Sequence, residues 1–266
     1  MKVGILGCAG RMGRMLVQEV FNDDACELVG GSEVSDSVSI GIDIAAYAGL
    51  PECGINISKL TGSLFAESDV VIDFTLPTAT LLHLELAQAN NTNLILGTTG
   101  HDDKGLHAIE KATENIAIVK AMNFSIGVNV LFALTEQLSS ILGDDYDVEI
   151  LEMHHKHKID VPSGTAIGLG EAAAKGRGVN LDSVAARGRD GIVGARKKGE
   201  IGFASLRGGE VVGDHSIIFA GENERVELFH KASSRGIFSK GAVRAAHWVD
   251  GQTSGLYNML DVLGLR

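Results

Sequence analysis

The sequence predicts an α/β protein of two domains, and three observations predict it. Short β-branched runs alternate with helical apolar spacings through about residue 125. Glycine is abundant, at 34 against 3 prolines, and glycines close several of those runs. Beyond residue 125 the alternation gives way to a long helical stretch, and then to three strand-like runs set close together. Strands alternating with helices imply a parallel sheet with right-handed crossovers. Close-set strands with Gly-rich turns imply antiparallel pairing. The expected division is a first domain over 1–125, completed by 236–266, and a second over 126–235. The second should be α+β with a mixed or antiparallel sheet.

Each element has its own signal. Lys2–Leu6 is a short aliphatic run that stops at Gly7, as a buried strand would. Met15, Leu16 and Val20 then fall at helical spacing within Arg14–Phe21, and Glu27–Gly31 reads as a second strand. Asp69–Thr75 is a third strand, and Thr78–Asn90 a helix with Thr78 near its N-cap. Asn93–Leu96 is a strand ending in Gly97-Thr98-Thr99-Gly100. Asp102–Thr113 is a helix, and Ile116–Val119 a strand running into Ala121–Ser125. Gly127–Leu142 reads as a long helix, Val148–Met153 as a strand, and a further helix starts near Ser163. Ile201–Leu206, Val211–Phe219 and Arg225–His230 are the close-set strands; Gly236–Val249 and Leu256–Leu263 are expected helices. Arg187–Lys198 is a basic cluster that fits a solvated loop or an oligomer contact.

Composition limits the function. The chain has 266 residues, 45% apolar and 21% charged, as expected of a globular protein. A net charge of −11 argues against a nucleic-acid partner, which needs a broad basic face. No uninterrupted apolar run reaches ~18 residues, so no membrane partner is expected. The start, MKVGILGCAG, has no signal-peptide pattern, and three cysteines without CxxC spacing point to a reduced, cytoplasmic setting.

The first motif is Gly7-Cys8-Ala9-Gly10-Arg11-Met12-Gly13, between a strand and a helix. Such a turn brings backbone close to a pyrophosphate and aims helix N–H groups at it. Glu33 follows the last glycine by 20 residues, just past the second strand. A carboxylate there accepts hydrogen bonds from ribose hydroxyls. The unit therefore reads as a Rossmann-type dinucleotide-binding domain expected to use NADH well, with Arg11 near enough in sequence to supply a cation for NADPH. Thr98, Thr99 and Asn123–Ser125 sit at later strand ends. They suit either nicotinamide contacts or ordinary turn and cap chemistry.

The second motif, HHKHKIDVPSGTA, spans residues 154–166. Ser163 is a natural N-cap, and the amides of Gly164 and Thr165 at a helix start form an anion site. His154, His155 and Lys158 add proton donors and positive charge. The alternatives are a solvated basic loop, a metal site, or a pocket for a small dicarboxylate beside a proton donor. No carboxylate or thiol stands at a familiar zinc spacing, so no metal is expected.

The stretch Glu152–Ala166 closely resembles the signature of the dihydrodipicolinate (4-hydroxy-tetrahydrodipicolinate) reductase family of bacterial lysine biosynthesis. The turn Gly7–Gly13, the Gly97–Gly100 segment, Ala121–Ser125 and Lys231–Arg235 resemble further segments of that family in the same order. The resemblance implies an NAD(P)H-dependent oxidoreductase that passes hydride to ring C4 of a six-membered dicarboxylate, with the adjacent carbon protonated. By motif position His154 would be the general acid/base and Lys158 the second proton donor. His155, Gly164 and Thr165 would hold substrate carboxylates. Gly7, Cys8, Ala9, Gly10, Arg11, Met12, Glu33, Gly97, Thr98, Thr99, Ala121, Met122, Asn123 and Phe124 would line the cofactor site. Val34 stands where some members carry Arg. The family implies a homotetramer built through the second-domain sheets.

Overall fold

Strand β1 (Lys2–Leu6) leads through the glycine turn into helix α1 (Arg11–Phe21) and strand β2 (Glu27–Ser32). The computed structural model describes residues 1–265. Short helices α2 (Ile44–Tyr47) and α3 (Thr61–Glu67) precede β3 (Val70–Asp73). Then follow α4 (Pro77–Asn90), β4 (Asn93–Leu96), α5 (Asp103–Ala112) and β5 (Ala117–Lys120). After these come α6 (Ile126–Leu142), β6 (Asp147–His154), α7 (Gly164–Gly176), α8 (Leu181–Val184) and the two-residue β7 (Ala185–Ala186). Strands β8 (Ile201–Arg207), β9 (Asp214–Ala220) and β10 (Arg225–Lys231) complete that part. Helix α9 (Gly236–Val249), β11 (Gly255–Tyr257) and α10 (Met259–Leu263) end the chain. One compact unit comprises Met1–Ser125 with Gly236–Gly264, and a second comprises Ile126–Arg235. Arg266, part of the expected first domain, lies outside the described residues.

The first unit holds a six-stranded parallel sheet in the order β11-β5-β4-β3-β1-β2. The middle positions of β1, β3, β4 and β5 are apolar because both faces are covered. Val3, Ile5, Val70, Ile72, Ile95 and Val119 pack with Leu16, Val17 and Val20 of α1 and Ala242, Ala245 and Ala246 of α9. The neighbouring positions Leu6, Val71, Leu94, Leu96 and Ile118 pack with Leu64, Phe65, Leu84, Ala87 and Ile109.

The second unit is a five-stranded mixed sheet, β10-β9-β6-β8-β7. Here the expected order needs correction. Strands β9 and β10 are antiparallel, but β8 and β9 are not neighbours: β6 lies between them, parallel to β8 and antiparallel to β9. The adjacency rule for close-set strands fails because β6 enters from earlier in the chain with Val148 and Ile150, whose buried side chains need an interior place.

Other boundaries also moved. Helix α1 starts at Arg11 rather than Arg14, so the glycine turn runs directly into it. Thr78 is not a cap; Leu76 is the N-cap and Pro77 takes the first helical position, where its missing N–H costs nothing. The expected helix Leu256–Leu263 divides into β11 and α10, because the Gly255–Tyr257 backbone pairs with β5 and Asn258 and Asp261 then form a capping box.

The basic stretch Arg187–Lys198 is not wholly solvated. Arg196 donates to Asp147 at 2.7 Å and to Glu149 at 3.0 Å, while Arg189 reaches Glu149 at 2.9 Å. The segment Ile126–Asp145, α6 with the following turn, is long and apolar enough to cross a membrane by length and composition. The segment is still no uninterrupted run, because Asn129, Thr135, Glu136 and Gln137 break the apolar sequence without lowering its mean far. In the structure α6 packs on α7 and β10 within the second unit.

Candidate active site

In the first unit the turn after β1 is built for backbone rather than side-chain contact. Gly7 has φ +62°, and a Cβ on Gly13 would strike the Gly7 carbonyl oxygen, so α1 starts hard against the strand end. No side chain caps α1. Its first amides lack intrahelical partners and face whatever lies beyond the turn. Glu33 accepts from the Ala9 amide at 2.9 Å, which ties the acid to the turn and leaves carboxylate lone pairs for hydroxyl donors. These residues fit a dinucleotide.

The remaining sequence-predicted residues divide by burial. Cys8 lies in the core, its thiol pushed up to about 12 by burial and then by the Glu33 charge. Phe124 is fully buried against Phe74, with ring centroids 5.2 Å apart. Both offer backbone only. Thr98 is buried too, and its hydroxyl donates to Asp73 at 3.3 Å. Thr99 and Met122 are exposed. Asp73 anchors a network missed in the sequence: it pairs with His83 at 2.7 Å and accepts from the Thr75 amide at 2.8 Å. Burial pushes its carboxyl up, but His83 and Thr75 outweigh that and hold it low. The network fixes the ends of β3 and β4.

In the second unit β6 carries the candidate acid–base residues. Residues two apart on a strand share a face. Val148, Ile150, Glu152 and His154 are all buried, so one face passes from hydrocarbon to Glu and His at its end. His154 Nδ1 lies 2.6 Å from Glu152 Oε2. Arg207, the β8 partner of His154, donates to both Glu152 oxygens at 2.8 and 2.9 Å. The Ser163 amide donates to Glu152 at 3.3 Å. Burial pushes the Glu152 carboxyl up, but hydrogen bonds from Arg207, His154 and Ser205 outweigh it and hold the group ionised. A carboxylate only accepts, so Nδ1 of His154 carries a hydrogen and Nε2 is the titrating nitrogen. Burial pulls His154 below the ordinary imidazole value; Glu152 opposes this, while Lys158 and Arg207 add to it.

Around this pair, His215 packs edge-on to His154 at 5.0 Å and meets the Ser163 hydroxyl at 3.0 Å. Burial and then the His154 charge take His215 down to about 3, so it stays neutral. Ser163 caps α7 by accepting from the Ala166 amide at 3.2 Å. Gly164 and Thr165 occupy the first two helical positions, where amides lack intrahelical acceptors. Residues 155–158 form a turn, in which Lys158 pairs with Asp160 at 2.9 Å and His155 is half-buried. Glu152, Arg207 and His215 received no role in the sequence reading. The i, i+2 relation of Glu152 to His154 was the available signal; Arg207 and His215 needed the strand register.

A parallel sheet with a glycine turn tied to a carboxylate, and a separate unit with a carboxylate-held imidazole beside a helix N-terminus, fit a two-domain dinucleotide-dependent oxidoreductase. Family models described as dihydrodipicolinate reductase, N-terminus and C-terminus, match residues 1–124 and 127–263. The 4-hydroxy-tetrahydrodipicolinate reductase of Rhodopseudomonas palustris (strain HaA2) is 50% identical, covering 100% of this chain and 98% of the relative. That of Magnetococcus marinus is 48% identical, covering 100% and 99%. A dipicolinate-bound dihydrodipicolinate reductase from Paenisporosarcina sp. TG-14 has a TM-score of 0.77 at 26% identity, over 98% of each chain. The chain belongs to the dihydrodipicolinate reductase family, whose members are NAD(P)H-dependent oxidoreductases.

Proposed function

We propose that this chain reduces 4-hydroxy-tetrahydrodipicolinate to tetrahydrodipicolinate with NAD(P)H, on the route to diaminopimelate and lysine. The observation that carries the reading is the Glu152-held imidazole of His154, 2.6 Å from its carboxylate, in a chain matched end to end by named reductases. The assay is direct: NADH absorbance is followed with freshly made dihydrodipicolinate synthase product, then with NADPH. No oxidation of either nucleotide would sink the assignment.

When bound, the reduced nicotinamide supplies the hydride. Loss of water leaves a conjugated imine; hydride addition at C4 leaves an electron pair that the adjacent ring carbon discharges by taking a proton. His154 Nε2 delivers that proton while Glu152 stabilises the imidazolium. Lys158 is the second donor. The amides of Gly164 and Thr165, with His155, hold the carboxylates and fix the ring's orientation.

A pH dependence follows. An acid must be protonated to act, so activity falls as pH rises through its pKa. In the free protein His154 is lowered. A bound dianion favours the imidazolium and raises it. The basic limb of kcat is therefore expected at higher pH than that of kcat/KM. Coincident limbs would count against His154 as the acid.

Cofactor choice rests on Glu33. Its carboxylate suits ribose hydroxyls and repels a 2′-phosphate, while exposed Arg11 offers a cation, so NADH is used well and NADPH accepted. Glu33→Ala is expected to weaken NADH about tenfold, roughly one charged hydrogen bond. Dicarboxylate affinity should hold. Fluorescence titration reads both, and an unchanged NADH constant removes the ribose role.

We infer a homotetramer formed through the second-unit sheets. Leu151, Leu206 and Phe229 on these strands are substantially exposed, an apolar surface that assembly would cover. Light scattering tests it. The cytoplasm is the inferred location, supported by Cys8, Cys26 and Cys53 standing as free thiols.

A further inference from the structure

Asp23, Cys26 and His247, none of them placed in the reaction, bring three different donor atoms together. Their carboxylate oxygen, sulfur and imidazole nitrogen all lie within 4.8 Å of one another. His247 Nε2 is 2.7 Å from Asp23 Oδ2 and 3.6 Å from Cys26 Sγ. Asp23 follows α1, Cys26 precedes β2 and His247 lies in α9, all within the first unit. His247 is distant from the other two in sequence, so no motif spacing discloses the cluster.

The donors are arranged as well as gathered. Asp23 Oδ1 accepts from the Ala25 amide at 3.0 Å, which orients the carboxylate and leaves Oδ2 toward the imidazole. The Cys26 amide donates to the Asp23 carbonyl at 2.9 Å, closing the loop that carries both. Cys26 is half-buried against the core, while His247 is exposed, so the cluster has one dry side and one open side. Asp23 also lines an open groove with Glu19, Asp24 and Lys240 through which a hydrated ion can arrive.

We propose that this triad is a binding site for a borderline-soft divalent cation of the Zn²⁺ class. Mixed S, N and O donors select such ions over Mg²⁺ or Ca²⁺, which take oxygen ligands. Tetrahedral coordination with bonds of about 2.0–2.3 Å sets donors roughly 3.5 Å apart. The imidazole and sulfur already stand at that separation; the carboxylate must exchange its hydrogen bond to the imidazole for the ion. Binding releases the thiol proton, and carboxylate plus thiolate then balance the two charges of the ion. Water completes the fourth position on the open side. The site joins the start of the chain to α9 and so fastens the C-terminal part onto the sheet it completes.

Cobalt(II) is the probe, added to the reduced, metal-free full-length protein. A near-ultraviolet thiolate-to-cobalt band is expected at one equivalent, absent in Cys26→Ser and weakened at least about tenfold in His247→Ala. Zn²⁺ at a hundredfold excess over its dissociation constant should raise the melting midpoint by about 5 °C in the unaltered protein and not in Cys26→Ser. Both variants should keep reductase turnover, which shows that they fold. No band at millimolar cobalt leaves the triad a plain His–Asp ion pair and overturns the proposal. So does a band that persists in Cys26→Ser, which would come from Cys53.

Discussion

His154→Ala is expected to lower kcat by about 10²- to 10⁴-fold, the contribution of one placed acid, with NADH binding unchanged. The side chain is buried and its Nδ1 is committed to Glu152 at 2.6 Å, so Nε2 alone remains for substrate. Removing it deletes both the proton and the group that carries the basic limb of the pH profile. The two losses should come together: a lower kcat and a limb that is gone or displaced to the pKa of another group. Single-turnover rates and a fluorescence titration separate chemistry from cofactor binding. Unchanged turnover would take His154 out of the mechanism.

The second large effect is expected at Glu152, which is placed to act through His154 rather than on substrate. Glu152→Gln keeps the shape and removes the charge. The imidazolium of His154 then loses its stabilising partner, so its pKa falls further and the basic limb of kcat moves to lower pH. At neutral pH kcat should drop by about 10²- to 10⁴-fold, no more than removal of the acid itself. A double variant with His154→Ala should lose nothing more, since both act through one proton. Glu152→Ala also takes both carboxylate contacts from the Arg207 guanidinium, leaving it the Leu206 and Asp160 carbonyls, and breaking such a pair costs up to about 3–5 kcal/mol of stability. Thermal melts would separate this from the catalytic loss. A Gln variant with the parent pH profile would reduce Glu152 to a structural ion pair.

Much of the first unit was legible because its signals are local. Gly7–Gly13 between an aliphatic strand and an amphipathic helix identifies its own turn, and Glu33 follows at a fixed remove. In the second motif, Ser163-Gly164-Thr165 announces a helix N-terminus by capping chemistry alone. The burial of Cys8, Thr98 and Phe124 was not legible, since a residue at a strand end can face either ligand or core. Phe124 packs against Phe74, Thr98 bonds to Asp73 and Cys8 joins the core beside α1, and these contacts decided it.

By itself the sequence determined the alternation that makes a parallel sheet, the glycine turn, the acid beyond β2 and the His/Lys stretch before a capped helix. Each depends on residues within a few turns of one another, where sterics and hydrogen bonding act directly. Only the tertiary structure decided that β6 lies between β8 and β9, which puts Arg207 and His215 against Glu152 and His154. It alone gathered Asp23, Cys26 and His247. Strand order and long-range contacts follow from which buried surfaces fit together over the whole chain, and that sum is not written in any one segment.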